Sequence, residues 1–275
     1  MLQNSKKVAI LMATYNGEKY VEAQIESILS QSYTDWSLYI RDDGSKDSTC
    51  KILESYASRY NNIHLIKDDE RLGPKLSFIR LLENVESVYY MFADQDDYWL
   101  VDKIRLFVDE MEKSKCEKKP VIICSDLKVV DESLNLICPS FWKFSGFKMD
   151  EFNNFTYHWY WNNVNGCSMM INQNVKQIAL PVPKEAFMHD SWIVLSTLAH
   201  NGIVLPIQQS TMLYRQHQCN SVGARRDKAL HYITDFTGVI TRTYNQYLTL
   251  RHLCRVSFIS FLYKKIVMRI NKIIK

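Results

Sequence analysis

The chain of 275 residues is long enough to bury a large core, as one large domain or as one domain with an appendage. A hydrophobic content of 47% and a charged content of 23% are ordinary for a globular protein and argue against a disordered or fibrous chain. The net charge of +4 is uneven, because residues 225–275 hold eleven Lys or Arg against two Asp or Glu. This basic segment has a local balance of +9, so the rest of the chain carries −5.

The cysteines and the N-terminus bear on the cellular compartment. Seven cysteines are scattered along the chain without a Cys-x-x-Cys pair, which favours free thiols in a reducing compartment. The apolar run "KVAILMA" near the N-terminus is only seven residues long and enters a polar turn. We therefore expect neither a signal peptide nor a membrane span, and we predict a cytoplasmic protein.

Residues 6 to about 130 alternate short apolar runs with helical patterns. Strands are predicted, in chain order, at "KVAILMA", "WSLYIRDDGS", "NIHLIKD", "SVYYMFADQDD" and "PVIICSDLKVVD". Helices are predicted between them at "EKYVEAQIESILSQS", "KDSTCKILESYASRY", "PKLSFIRLLENV" and "LVDKIRLFVDEMEK". This alternation predicts right-handed βαβ units in a Rossmann-like, mostly parallel sheet with helices on both faces.

The pattern changes after residue 130. The segment "FWKFSGFKMDEFNNFTYHWYWNNVNG" is aromatic and Asn-rich and has no clear period. A strand and a short helix follow at "CSMMINQNVKQIALP", and "HDSWIVLSTLAHNG" predicts a helix that ends in a glycine C-cap. One or two strands are expected at "IVLPIQQSTMLYRQH", and residues 228–275 form a basic, aromatic and helix-prone tail.

Three polar clusters fall where predicted strands end: "TYNG" after the first, "RDDGS" after the second and "ADQDD" after the fourth. In an open parallel sheet, ligands bind beyond the carboxyl ends of the strands. One Asp-Asp-Gly-Ser or one Asp-x-Asp is usually only a turn. Three clusters at one edge of a sheet predict a binding site.

The composition of these clusters indicates the ligand. No Gly-x-Gly-x-x-Gly follows the first strand and no Walker lysine motif is present, which excludes a dinucleotide fold and a P-loop. The carboxylates of Asp94, Asp96 and Asp97 suit Mg²⁺ or Mn²⁺, which prefer oxygen ligands and are shared with substrate phosphates. An aspartate after the second strand could accept hydrogen bonds from a base or ribose. The residues thus predict a nucleotide-diphosphate compound held with a divalent metal.

Several longer pieces of the chain are similar to one enzyme family. They are "ATYNGEKYVEAQIESILSQSYTDWSLYIRDDGSKDST", "ADQDDYW", "NGCSMMIN", "MHDSW" and "YRQH", in that order over about residues 6 to 220. The chain resembles the family 2 glycosyltransferases, inverting enzymes with the GT-A fold. "DQDDYW", "HDSW" and "YRQH…NSVGA" together look most like the rhamnosyltransferases of cell-surface polysaccharide synthesis.

The resemblance implies roles on the side of the nucleotide. Thr14 and Tyr15 would line the base pocket, with the Tyr15 ring stacking on the base. Asp43, the second acidic residue of "DDGS", would bind the base or the ribose. Asp94 would lie near the ribose, as the first carboxylate of the family's Asp-x-Asp.

The resemblance also implies how the metal and the diphosphate are held. Asp96 would bind the metal directly, and His217 matches a position that helps bind the metal or the diphosphate. Arg215 could bind a phosphate group. Asp97 would have a structural role as the cap of a helix that starts near Trp99.

On the acceptor side, Asp190 matches the family's catalytic base, which removes the proton from the acceptor hydroxyl as that oxygen attacks the anomeric carbon. Many relatives have Glu before this aspartate, where this chain has His189, so the acceptor contacts of His189 are left open. Asn165 and Gly166 would shape the acceptor pocket.

Structural interpretations of the same residues stay open at this stage. Asp190 could cap the helix that follows it, and His189 and His217 could be structural histidines. Asn165–Cys167 could be only a turn. The aromatic run Tyr157–Trp161 could belong to the core or could stack on sugar faces.

The sequence therefore predicts a GT-A domain at residues 1–225, with a nucleotide-sugar half to about 130 and an acceptor half at 131–225, and a basic helical tail at 226–275. The predicted reaction is transfer of L-rhamnose from dTDP-L-rhamnose to a surface glycan, with a UDP-galactose or UDP-glucose hexosyltransferase as the alternative. A sugar nucleotidyltransferase would carry a Gly-rich signature that "ATYNGEKY" lacks, and a lectin-like module would need neither base nor metal ligand. The tail could rest on an anionic membrane beside a lipid-linked acceptor or pack on the body, and nucleic-acid binding is disfavoured.

Overall fold

The structure is a computed structural model that describes residues 7–68, 70–116, 118–217 and 236–273. Cys219 and the "NSVGA" piece lie outside these ranges. The strands of the described ranges are β1 Val8–Thr14, β2 Trp36–Asp42, β3 Ile63–Leu65, β4 Tyr89–Asp94, β5 Tyr98–Trp99, β6 Val121–Val130, β7 Leu136–Cys138, β8 Met169–Asn172 and β9 Ile203–Arg215. These nine strands form one sheet with the order β3-β2-β1-β4-β8-β6-β9-β5, and β7 pairs with β6.

The helices lie on both faces of this sheet, and the last two pack on the second half of the body. Those of the first half are α1 Val21–Leu29, α2 Thr49–Arg59, α3 Gly73–Asn84 and α4 Lys103–Lys113. Those of the second half are α5 Phe141–Ser145, α6 Phe155–His158, α7 Gln173–Ala179, α8 His189–Ala199, α9 Phe236–Arg251 and α10 Phe258–Ile273. Short 3-10 helices occupy Met149–Glu151 and Gly166–Ser168.

The first half of the sheet is parallel, as the alternation of strands and helices predicts. Strands β3, β2, β1 and β4 pair in parallel, and residue 14 lies opposite residue 42 while residue 13 lies opposite residue 94. The carboxyl ends of β1, β2 and β4 therefore meet at one edge. Beyond β4 the sheet is mixed, because β8 runs antiparallel to both β4 and β6.

The core consists of two layers, one on each side of the sheet. Strand β1 illustrates both, since Val8, Ile10 and Met12 join one buried cluster while Ala9 and Leu11 join the other. Successive side chains of a strand point to opposite faces, so a strand with helices on both sides is apolar throughout. This burial explains why the first strands read as continuous apolar runs rather than as alternating ones.

The chain after β4 differs from the prediction. The predicted role of Asp97 as the cap of a helix starting near Trp99 is wrong, because Tyr98–Trp99 pair with β9 as a short strand. Helix α4 begins only at Lys103, after Asp102. The Asp97 carboxylate instead accepts a hydrogen bond from the backbone N–H of Arg215 at 3.2 Å. The nonlocal pairing with β9 thus overrides the local helix signal.

The C-terminal end of α8 also differs from the prediction. The sequence predicts a glycine C-cap, but the left-handed residue is Asn201, with φ of 57°. Gly202 serves a different purpose, because a Cβ atom there would lie 2.6 Å from the carbonyl oxygen of Pro120. This glycine lets the chain approach the start of β6 closely.

Helices α9 and α10 pack on the second half of the body. Leu250 of α9 and Phe261 of α10 form a buried cluster with Trp159 and Tyr160. This part of the aromatic run is therefore core, and the helix pair has a packed inner side. Within the described ranges, no helix combines the length and the apolar character that crossing a bilayer requires.

Candidate active site

The site begins where β1 and β2 end side by side. The hydroxyl of Thr14 donates a hydrogen bond of 2.9 Å to Asp42, and the same carboxylate accepts from the backbone N–H groups of Gly44 and Ser45. Asp42 thus builds the turn after β2 and ties it to the end of β1. Thr14 is buried, so its link to Asp42 holds the first loop in position.

Asp43, the predicted base or ribose ligand, is anchored from several sides. One oxygen accepts hydrogen bonds of 2.7 Å from the Arg41 guanidinium and from the N–H of Leu72. The other accepts from the N–H of Gly73 at 2.8 Å, at the start of α3. Desolvation alone would raise the pKa of Asp43, but these donors outweigh it and lower the pKa. Asp43 is therefore a fixed carboxylate at the sheet edge.

Tyr15 lies on the surface of the first loop, with 37% of its area exposed. The Gln95 side chain holds this residue at both backbone groups, accepting from its N–H at 2.8 Å and donating to its carbonyl at 3.0 Å. The Arg71 guanidinium lies 4.4 Å from the centre of the Tyr15 ring. Gly17 leaves room for this clamp, because a Cβ atom there would clash with the Gln95 amide and displace it. The sequence pattern offered no signal for the role of Gln95.

Asp94 at the end of β4 and the following Asp96 and Asp97 are crowded together. Desolvation and the neighbouring Asp96 raise the pKa of Asp94 to about 7, and the same causes raise that of Asp97 well above its ordinary value. Asp97 is fully buried, and its second carboxylate oxygen has no hydrogen-bond partner. Ligand atoms of Asp94, Asp97 and Cys167 lie within 4.8 Å of one another. Repulsion between desolvated carboxylates is the situation that a divalent cation relieves.

His217 and Arg215 approach this corner from the end of β9. His217 Nε2 lies 2.7 Å from Asp96 Oδ2, and the imidazole stacks on the Tyr20 ring with 4.8 Å between ring centres. Arg215 donates to the carbonyl oxygen of Asp96 at 2.8 Å, and its guanidinium lies 4.9 Å from the Tyr20 ring centre. The fold therefore brings the predicted residues Asp96, Arg215 and His217 together around Tyr20.

Asp190 occupies the second position of α8, whose N-cap is Met188. One carboxylate oxygen accepts from the N–H of Gly166 at 3.2 Å, and the other accepts from the N–H of Ser191 at 2.6 Å. Desolvation outweighs these two donors and raises the pKa of Asp190 to about 6. The turn at Gly166–Ser168 links Asp190 to the aspartates at the end of β4, because the N–H of Gly166 donates to Asp190 and the Cys167 sulfur lies within 4.8 Å of ligand atoms of Asp94 and Asp97. A carboxylate that ionises near pH 6 is suited to accept a proton at neutral pH.

The His189 side chain is buried in the core. Its ring lies 4.5 Å from the ring centre of Phe78 and 5.1 Å from that of Phe92, and burial lowers its pKa to about 3. Neither ring nitrogen has a hydrogen-bond partner. Gly166 packs directly over the ring, since a Cβ atom there would lie 2.9 Å from His189 Nε2. Asn165 is half-buried just before this glycine. Acceptor contacts of His189 and Asn165 stay a prediction.

Lys103, at the start of α4, was not identified from the sequence. Its ammonium group is fully buried, donates to the carbonyl oxygen of Cys167 at 2.6 Å and lies 4.1 Å from the Trp99 ring centre. Desolvation lowers the pKa of Lys103 to about 8, against the opposing charges of the nearby acidic groups. In the sequence, Lys103 is one polar residue of an amphipathic helix, so no local pattern marks it.

Two solved structures share the fold of this chain. A mannosyltransferase from Pyrobaculum calidifontis, solved with GDP-Man and Mn²⁺, is 13% identical, has a TM-score of 0.63 and matches over 95% of this chain and 69% of its own. TarS residues 1–349 from S. aureus, solved with UDP, is 17% identical, has a TM-score of 0.58 and matches over 76% of this chain and 60% of its own. These likenesses confirm the predicted α/β GT-A fold.

Curated relatives are more similar in sequence. A dTDP-rhamnosyl transferase, RfbG of Shigella flexneri, is 28% identical over 78% of this chain and 74% of its own length. The UDP-Glc:α-D-GlcNAc-diphosphoundecaprenol β-1,3-glucosyltransferase WfgD of Escherichia coli is 33% identical over 39% of this chain and 42% of its own length. The chain thus spans about three quarters of the first relative's length and less than half of the second's.

The family assignment rests on a longer match than any single motif. The sequence model of Glycosyl transferase family 2 matches residues 9–176, from the second residue of β1 into α7. That range contains the nucleotide-side clusters and the aspartates after β4, while Asp190 and His217 follow it. Because the match covers more than half of the chain and the fold agrees with it, the chain belongs to glycosyl transferase family 2 and is a glycosyltransferase.

Proposed function

We propose that this protein is an inverting, metal-dependent glycosyltransferase that transfers L-rhamnose from dTDP-L-rhamnose to a cell-surface polysaccharide acceptor. The observation that carries the proposal is the position of Asp190, whose carboxylate accepts from the Gly166 N–H while the next residue, Cys167, lies within 4.8 Å of ligand atoms of Asp94 and Asp97. The relative from Shigella flexneri, named a dTDP-rhamnosyl transferase, supports the choice of donor.

In the proposed reaction, the acceptor hydroxyl attacks the anomeric carbon of the donor and loses its proton to Asp190. The two backbone donors from Gly166 and Ser191 hold the carboxylate in place. Its raised pKa makes the ionised form a stronger base than an ordinary aspartate. Single-step attack opposite the leaving group inverts the anomeric configuration, so a single base is sufficient.

Four residues are proposed to hold the nucleotide part of the donor. The exposed Tyr15 ring offers one face for stacking on the base. The Arg71 guanidinium would stay in contact with the other face of this ring. Thr14 is proposed to line the base pocket beside this ring, and Asp43 is proposed to bind the base or the ribose. Asp94, at the end of β4, is proposed to contact the ribose.

The residues around Asp96 fit Mg²⁺ or Mn²⁺. Carboxylate oxygens and an imidazole are suitable metal ligands. One buried carboxylate oxygen of Asp97 has no hydrogen-bond partner, which indicates that this corner can accept a further positive partner. Asp96 would hold the ion, with His217 beside it, while Arg215 would contact a phosphate group. When bound, such an ion neutralises the charge of the departing diphosphate.

A second candidate is a transferase that uses UDP-glucose or UDP-galactose. The Escherichia coli relative, named for a UDP-Glc donor, supports this reading over a shorter stretch of the chain. Both candidates use the same base and the same metal corner, and they differ in the sugar pocket. The sugar nucleotidyltransferase alternative has lost its support with the family assignment.

A panel of nucleotide sugars tests the proposal. The protein would be incubated with dTDP-L-rhamnose, UDP-glucose or UDP-galactose and Mn²⁺ or Mg²⁺, and donor hydrolysis, transfer and binding would be measured. We expect the strongest signal with dTDP-L-rhamnose. A preference for a UDP-hexose would select the second candidate. Absence of binding and turnover with every donor would overturn both.

The pH dependence of the reaction should follow Asp190. The base must be ionised to accept a proton, so we expect kcat/KM to fall tenfold per pH unit below about pH 6, the pKa of this carboxyl. Above that pH the rate should level off. The measurement is kcat/KM for the donor between pH 5 and 8. A rate that stays constant down to pH 5 would contradict the assignment.

We also propose that the segment 226–275, which follows a catalytic domain at 1–225 and packs on it through α9 and α10, contacts the inner face of the cytoplasmic membrane. Residues 236–275 contain eight Lys or Arg and no Asp or Glu, which suits an anionic surface. Ile259, Tyr263 and Ile266 of α10 share one helical face and are 81%, 68% and 58% exposed. These apolar side chains beside basic ones form the pattern of an interfacial helix.

A vesicle experiment tests this contact. We expect the intact protein to co-sediment with vesicles containing phosphatidylglycerol and to be released by high salt. Replacing Ile259, Tyr263 and Ile266 together by Ser should weaken binding about tenfold or more, because their burial in the interface is lost. The matched control is Leu136→Ser with Ile137→Ser, two exposed apolar residues of β7. Equal binding of both variants, or loss of self-association rather than of vesicle binding, would contradict the proposal.

A further inference from the structure

The environment of Lys103 is unusual for a buried cation. Its side chain has no exposed area, and within the described ranges no carboxylate lies within ion-pair distance of the ammonium group. The partners of Nζ are the carbonyl oxygen of Cys167 at 2.6 Å, the sulfur of Met212 at 3.1 Å and the Trp99 ring at 4.1 Å. One strong acceptor therefore holds this cation.

Stability does not account for such a residue. Burying an ammonium group without a paired carboxylate is unfavourable, and an apolar side chain of similar length in the same space is often neutral or stabilising. A hydrogen bond from a charged donor is, however, short and directional. A buried lysine is therefore suited to fix the position of the one carbonyl it contacts.

That carbonyl belongs to the 3-10 helix at Gly166–Ser168, which lies between the two halves of the site. On one side, the Cys167 sulfur lies within 4.8 Å of ligand atoms of Asp94 and Asp97. On the other, the N–H of Gly166 donates to Asp190 at 3.2 Å. Lys103 holds the carbonyl oxygen of Cys167, and the N–H that contacts Asp190, the proposed base, belongs to the preceding residue, Gly166. A single peptide unit separates these two groups.

We propose that Lys103 is a positioning residue that holds the Cys167 carbonyl and thereby keeps the Gly166 N–H directed at Asp190. This inference rests on the proposed function, because it assigns Asp190 the role of base. The turn is confined from the opposite side by His189, whose ring leaves no room for a Cβ atom on Gly166. The Lys103 contact and the His189 contact together determine where the Gly166 N–H lies.

The competing explanation is that Lys103 only balances the charge of Asp94 and Asp97, which oppose the lowering of its pKa. Two variants separate the explanations. Lys103→Gln retains a hydrogen-bond donor for the Cys167 carbonyl but has no charge. Lys103→Met has a similar length, no donor and no charge. Positioning predicts that the two variants differ, whereas charge balance predicts that they behave alike.

The first readout is kinetic. We expect Lys103→Met to lower kcat about 100-fold with little change in the donor KM, because a small displacement of a catalytic group has an effect of that size. Lys103→Gln should retain kcat within about tenfold, since it preserves the hydrogen bond. Circular dichroism and thermal unfolding of each variant establish that it is folded. Equal losses of kcat in the two variants would overturn the proposal.

The second readout does not depend on turnover. The carboxyl carbon of Asp190 would be followed by NMR during a pH titration of protein with ¹³C-labelled aspartate, its signal assigned by its loss in Asp190→Asn. The Gly166 donor lowers the pKa of Asp190, so its displacement in Lys103→Met should raise that pKa above the wild-type value of about 6. Lys103→Gln should leave it near the wild-type value.

Should Lys103→Met fail to fold, Gly166→Ala provides the same test from the other side. The added methyl group meets the His189 ring at 2.9 Å. Because that ring is packed against Phe78 and Phe92, we expect the turn to shift while Lys103 is untouched. We expect the same upward change in the pKa of Asp190. An unchanged pKa in folded Lys103→Met or Gly166→Ala would overturn the inference. If the variants change the pKa of Asp190 but the wild-type protein transfers no sugar from any donor, the proposed function is refuted and the positioning role remains.

Discussion

Replacing Asp190 by Asn is expected to lower kcat for sugar transfer by about 10²–10⁴-fold, the contribution typical of a general base. Asparagine has the same shape, and its carbonyl oxygen can still accept one of the two backbone hydrogen bonds, from Gly166 or Ser191. It cannot take a proton from the acceptor hydroxyl. Binding of the donor nucleotide should therefore change little.

The measurement combines steady-state transfer kinetics with calorimetric titration of dTDP in the presence of Mn²⁺. Asp150→Asn is the matched control, because it removes one exposed carboxylate outside the site. We expect the control to transfer sugar at the wild-type rate. Near-normal transfer by Asp190→Asn would remove this residue as the base, and loss of nucleotide binding would assign it a structural role instead.

Replacing Asp96 by Asn should mainly weaken metal-dependent binding of the donor nucleotide, whereas Asp190→Asn leaves that binding nearly unchanged. We expect affinity for dTDP in the presence of Mn²⁺ to fall about 100-fold or more, because even groups that only support a metal ligand contribute 10–100-fold. The amide is a weaker, neutral ligand, although it can still hydrogen-bond to His217 in place of the carboxylate. Residual binding without added metal should be unaffected.

Calorimetric titration of dTDP with and without Mn²⁺ measures this effect. The control is Asp109→Asn, an exposed carboxylate on the outer side of α4. A variant at Asp96 that keeps the wild-type metal dependence would contradict the role of this residue as the ligand. Together, the Asp190 and Asp96 variants separate proton removal from binding of the diphosphate.

The order of strands and helices in the first half could be predicted from the sequence. Apolar runs of strand length and helical patterns alternate there, and both signals are local. The polar clusters at the ends of β1, β2 and β4 could also be placed at one edge, because parallel strands end on the same side of a sheet. The observed register, with residue 14 opposite 42 and 13 opposite 94, confirms that placement.

Predictions failed where a distant segment decided the local structure. A helix start near Trp99 was a reasonable local prediction, but β9 arrives from more than 100 residues away and pairs with Tyr98–Trp99. Asp97 consequently faces the backbone of Arg215 rather than a helix end. The left-handed residue after α8 is Asn201 rather than the predicted glycine for a related reason, since Gly202 is needed where the chain passes Pro120.

The sequence by itself determined the fold class, the edge of the sheet that holds the site and the residue types available there, because short-range periodicity and spacing encode them. Only the tertiary structure decided how those residues act on one another. The contact of Lys103 with Cys167 spans 64 residues, and that of His217 with Asp96 spans 121. Contacts of this kind depend on how distant segments pack in a desolvated interior, where burial also raises the pKa of Asp190, and no local pattern records them.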